Sequence, residues 1–135
     1  MKNGLRAFDS DMHVYDPAFL YEKYMNPKWG ERIPRGQRNG KHGRVEFQLG
    51  GGTKLRAISE VIDHGQKQVA DRYDFAVERD YDAASQVQAM DMEGLDVGVL
   101  FRTSPLHCDD SFEAEYANDL CRAWNSWITD LARGV

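Results

Sequence analysis

Apolar positions along the chain fall into patterned stretches separated by polar and glycine-rich segments. Leu5-Arg6-Ala7-Phe8-Asp9-Ser10-Asp11-Met12-His13 reads as a short strand beginning almost at the N-terminus. Asp16-Pro17 then supplies a helix cap with proline at the first helical position, predicting two turns over 18–25 that present Phe19, Leu20 and Tyr24. A glycine-rich basic stretch follows, then a predicted strand at 44–49 and three glycines at 50–52. Thr53 is placed to cap a helix with Leu55, Ile58, Val61 and Ile62 on one face and Gly65 as its stop. Residues 66–81 are polar, lack a clear period and read as loop.

The last third is patterned more sharply. Asp82 caps a predicted helix with Ala83, Ala84, Val87 and Met90 on one side, closed by Gly94. Asp96-Val97-Gly98-Val99-Leu100-Phe101 contains an apolar run of strand length, the pattern of a parallel strand covered on both faces. Ser111 is placed to cap the next helix, with Glu113 and Glu115 in its first turn where the dipole favours anions. Phe112, Tyr116, Leu120, Trp124, Trp127 and Leu131 recur at three- and four-residue spacings as one apolar stripe, ending near Gly134. The order of strand, long insertion, helix, strand and helix predicts an α/β fold with parallel strands.

Length and composition narrow this picture. With 135 residues there is room for one domain but not for a complete (β/α)8 barrel of about 250 residues. Apolar residues at 41% and aromatics at 11% argue against global disorder. No window approaches the roughly 18 apolar residues of a membrane span, and the N-terminal residues lack the apolar core of a secretory signal. Cys108 and Cys121 show no metal-knuckle or CxxC spacing, which fits a reduced, cytoplasmic setting.

The net charge of −5 hides a division. Residues 1–72 carry 13 Lys/Arg against 9 Asp/Glu, and residues 73–135 carry 4 against 13. Most of the positive excess lies in 28–44. That stretch has one tryptophan, one proline, several glycines and no helical period, so it reads as a solvated loop rather than a nucleic-acid surface. Pairing with the acidic half is the other role open to it.

Asp11 and His13 carry the most specific chemistry. Residues two apart in a strand share a face, so a carboxylate and an imidazole there can reach one cation at about 2.1 Å from each donor. Asp9, a step further back on the same alternation, is placed to ligate or to steer His13. By spacing alone the pair also suits an ordinary polar strand end. His107-Cys108-Asp109-Asp110 follows the second apolar strand and offers a further ligand cluster, or a solvated or capping loop. His64 before Gly65 reads as a partner of a helix C-terminus, His42 as exposed, and the Trp124/Trp127 stripe as core. The glycines at 50–52 lack the Lys-Ser/Thr ending of a phosphate loop.

On these residues the chain resembles the N-terminal part of the amidohydrolase-related superfamily, in the branch of aminocarboxymuconate-semialdehyde decarboxylase. Phe8-Asp9-Ser10-Asp11-Met12-His13-Val14-Tyr15-Asp16-Pro17 resembles the family's first barrel strand, whose HxH, ExH or DxH pair ligates metal. Met90 to Phe101 resembles the passage from helix to second strand. Glu115-Tyr116-Ala117-Asn118-Asp119 with Trp124-Asn125-Ser126-Trp127 resembles the following helix. Residues 1–135 then form the leading portion of one incomplete TIM barrel, with a variable insertion at about 26–75.

The resemblance implies a divalent metal, zinc above all, held in part by Asp11 and His13, and a small carboxylated, amide or ester substrate. It further implies hydrolysis or non-oxidative decarboxylation in the whole enzyme, with the truncated chain inactive. Arg102 replaces a common proline after the second strand and either meets a substrate carboxylate or pairs with Asp109 or Asp110. Self-association through the incomplete sheet edge is expected, with no nucleic-acid or membrane partner. The alternative is a small non-enzymatic protein-interaction module.

Overall fold

Two strands about ninety residues apart pair in parallel. The computed structural model describes residues 4–38, 45–48, 71–103 and 112–134. The predicted helix after Thr53, the glycines at 50–52, His42, His64, and the His107–Asp110 cluster with Ser111 lie outside these residues. In chain order the elements are β1 (Phe8–Val14), α1 (Leu20–Tyr24), a 3-10 segment (Pro27–Arg32), β2 (Arg35–Arg38), β3 (Val45–Gln48), α2 (Asp74–Glu78), α3 (Ala83–Glu93), β4 (Val97–Arg102) and α4 (Ala114–Arg133). The fold is mixed α/β with two small sheets: β1 with β4, parallel, and β2 with β3, antiparallel.

The register of the parallel pair determines which side chains share a face. Phe8 pairs with Val97, Asp9 with Gly98, Met12 with Leu100, His13 with Phe101 and Val14 with Arg102. Between Asp9 and Met12, β1 takes three steps while β4 takes two, so β1 carries one extra residue there. Val14 is fully buried and Leu100 packs against the core, whereas Phe8, Val97, Val99 and Phe101 are 63%, 38%, 39% and 45% exposed. The expected two-sided burial of the 97–101 run is therefore one-sided. One face of the pair is packed, and the apolar face on the other side stays open among the described residues.

The packed side is dominated by α4. Its Tyr116, Leu120, Ala123 and Trp127 join Val14, Leu20, Tyr21, Met25 and Phe47 in one buried cluster, with Phe112, Trp124 and Leu131 packed against it. The stripe read from the sequence is thus core, and Ala123 completes it. The helix starts at an N-cap Glu113 that makes no side-chain capping bond, rather than at Ser111, and it ends at Gly134.

Helix α3 has the predicted ends. Asp82 accepts from Ser85 N–H at 2.8 Å, and Gly94 closes the helix in the left-handed region at φ 72°. Its expected apolar face is only partly covered, with Ala84 and Val87 exposed, Ala83 and Met90 partly buried, and Ser85 buried instead. The 66–81 stretch, expected as loop, contains α2, which buries Ala76 and Val77.

The described part of the basic stretch, residues 28–38, is tied to the rest of the chain rather than simply solvated. Asn26 accepts from Lys28 N–H and Pro27 opens the 3-10 turn. Lys28 then pairs with Glu115, and Arg32 with Glu113 at 2.7 Å. Trp29 Nε1 donates to Asp119 at 2.7 Å, and Tyr116 donates to the Arg32 carbonyl at 2.7 Å. Arg38 pairs with Asp80. Each exposed pair contributes little energy alone. The Lys28 and Arg32 pairs, with the Trp29 and Tyr116 bonds, dock residues 28–32 on the acidic start of α4, and Arg38 is held separately by Asp80.

Candidate functional site

The extra residue in β1 decides which acidic groups accompany His13. Strict alternation would align 9, 11 and 13, but Asp9 sits at the level of Gly98, on the alternation of Leu100 and Arg102. Its Oδ1 accepts from Asp11 N–H at 2.9 Å, a local turn that holds the irregularity. Asp9 therefore braces the strand, and the expectation that it shares the face of His13 is corrected by this shift.

Asp11 and His13 do come together. His13 Nε2 lies 3.5 Å from Asp11 Oδ1, with the two side chains 52% and 76% exposed. His13 Nδ1 is 3.0 Å from the Arg102 carbonyl oxygen. A carbonyl only accepts, so Nδ1–H is the donor in this contact, and in the Nδ1–H tautomer the Nε2 lone pair faces Asp11. Two donors bound to one tetrahedral ion at about 2.1 Å stand about 3.4 Å apart, so the observed separation matches two corners of such a site. The same spacing also suits a weak, exposed ion pair with a protonated imidazole. Among the described residues no group of three or more His, Cys, Asp or Glu converges to hold a metal.

Arg102 turns the other way, into the packed layer. Its Nε and Nη2 donate to Asp16 Oδ2 at 2.9 and 2.6 Å, and Nη2 also reaches the Tyr21 hydroxyl at 2.9 Å. Trp124 Nε1 donates to Asp16 Oδ1 at 3.0 Å, and its ring lies 5.8 Å from the guanidinium. The Asp16 side chain is 2% exposed and that of Arg102 14%. Arg102 Nη1 is buried with no hydrogen-bond partner among the described residues. The cation expected to meet a substrate, Asp109 or Asp110 is thus engaged by a carboxylate expected to cap α1. That helix instead starts after Phe19, without a side-chain cap. One signal pointed to this pairing: a lone arginine closing an apolar strand needs a buried counter-charge.

Burial pushes the Asp16 carboxyl above its ordinary 3.8, against the opposing pull of Arg102 and the hydrogen bonds from Trp124 and Arg102. The folded state therefore holds this proton more tightly than the unfolded chain. From this group alone, stability rises as pH falls through the window from the raised value down to 3.8. Asp96 behaves oppositely, since the Ala7 N–H bond at 2.9 Å holds it below 3.8. Its contribution is present above 3.8 and is lost as pH falls through its lower folded value.

Compared with protein-family models, curated proteins and solved structures, the chain matches none. Among the described residues no helix is long and apolar enough to cross a membrane.

Proposed function

We propose that the chain is the leading portion of a metal-dependent amidohydrolase or non-oxidative decarboxylase barrel, with Asp11 and His13 as two ligands of a divalent ion, zinc above all. The observation carrying this reading is the geometry of the pair. Both donors lie on the open side near the carboxyl end of a parallel strand, at a separation that fits one tetrahedral ion, with Nδ1 engaged by a carbonyl. Support also comes from the layering, because helices cover one face of the strand pair and an apolar face is open on the other, as in an unclosed barrel. When bound, such an ion lowers the pKa of water or polarises a carboxylated, amide or ester substrate. Asp11 supplies negative charge, His13 supplies a fixed lone pair, and Phe101 walls the imidazole at 6.4 Å between ring centroids. Arg102 takes no part in substrate contact in this reading, since Asp16 and Tyr21 engage it.

Zinc titration of the purified chain tests the assignment. Asp11→Ala and His13→Ala are each expected to weaken zinc binding at least as much as losing an outer partner of a ligand does, about 10- to 100-fold. Both residues are exposed, so the melting curves should stay within about 0.5 kcal/mol of the parent protein. Zinc binding unchanged by both substitutions would remove the proposal.

The open face also supports self-association. Phe8, Val97, Val99 and Phe101 form a half-exposed apolar patch beside strands that, among the described residues, pair on one side only. Val99→Lys with Phe101→Lys is expected to shift the chain from oligomer toward monomer in sedimentation velocity. A monomeric parent at the same concentration would refute this. An interaction module built on the charge division receives less support, because Lys28 and Arg32 are already paired to α4 within the chain.

A further inference from the structure

We propose that Asp16 and Arg102 are positioning residues that set the tautomer and direction of His13 from the opposite face of the sheet; this rests on reading His13 as a metal ligand. Arg102 is the last residue of β4, where a strand normally frays. Here it is clamped at both ends. Its guanidinium is gripped by Asp16 Oδ2 at 2.9 and 2.6 Å and by the Tyr21 hydroxyl, and Trp124 holds the other Asp16 oxygen. The next residue, Thr103, donates to the Val14 carbonyl through both its N–H, at 3.2 Å, and its Oγ1, at 2.6 Å. A side chain and a neighbour fixed in this way leave the Arg102 carbonyl little freedom to turn, and that carbonyl is the group facing His13 Nδ1 at 3.0 Å. The buried ion pair thus acts through the backbone. It keeps the proton on Nδ1 and the Nε2 lone pair toward Asp11, whereas a loose strand end would let the imidazole rotate and exchange tautomers.

The test is nitrogen-15 NMR of histidine-labelled protein without metal, with the His13 signals identified by their loss in His13→Gln. The parent protein should show His13 as the Nδ1–H tautomer. Asp16→Asn combined with Arg102→Met removes both charges together and so leaves no unpaired buried charge. In it the Nε2–H form should appear and zinc affinity should fall about 10- to 100-fold. Arg102→Lys keeps the charge but not the two-pronged grip, and it should move the tautomer ratio the same way by less, which covers the case of an unfolded double variant. A mixed tautomer in the parent protein, or an unmoved ratio in a folded variant, overturns the positioning role. A tautomer that responds in a chain with no zinc binding upholds that role and refutes the metal reading instead.

Discussion

Arg102→Met is expected to destabilise the chain by about 3–5 kcal/mol at neutral pH, the cost of leaving a buried carboxylate without its counter-charge. Asp16 is 2% exposed, and its remaining partner, Trp124 Nε1, is a single neutral donor. Methionine retains the stem volume, so packing loss is small. The loss should shrink on acidification. Burial already raises the Asp16 carboxyl above 3.8, and removing the guanidinium raises it further. The folded variant then gains a proton before the unfolded chain does, and stability returns as pH falls toward 3.8. Adding Asp16→Asn to the variant should recover most of the loss at neutral pH. Urea unfolding at several pH values measures all three. A single variant as stable as the parent at neutral pH would mean that the carboxylate finds another partner.

The second large effect is in α4. Trp127→Ala is expected to cost about 3–5 kcal/mol, combining lost burial with the cavity left behind. Trp127 is 5% exposed, meets Trp124 edge-on at 5.9 Å, and belongs to the cluster joining α4 to α1 and to the end of β1. Against a typical total of about 5–15 kcal/mol, this leaves a substantial unfolded population. Far-UV circular dichroism in urea reads the change without depending on the deleted indole. A midpoint within experimental scatter of the parent value would show that α4 is anchored without this residue.

The parts of the fold legible in the sequence are those governed by local or periodic rules. Asp82 and Gly94 bracket α3 because a cap and a left-handed stop act within a few residues. The stripe from Phe112 to Leu131 marks α4 because one face of a helix repeats in sequence. What escaped depends on partners far along the chain. Asp16 has the local signature of a cap before proline, yet Arg102, 86 residues away, and Trp124, 108 away, draw it into the interior. The apolar run at 97–101 predicts two buried faces, but only packing decides how many are covered. Of the candidate site, the pairing of Asp11 with His13 followed from a period of two. The displacement of Asp9 did not, because one additional residue in a strand has no compositional mark.

That additional residue has a consequence for the order of events in folding. By diverting the first of three alternating acceptors, it leaves β1 two side chains for the proposed ion, Asp11 and His13, which by themselves would hold it only weakly. Any strong coordination sphere must be completed by groups remote in sequence or by solvent. Ion capture would then follow the docking of distant segments, and uptake kinetics would serve as a clock for late assembly rather than for the first pairing of strands.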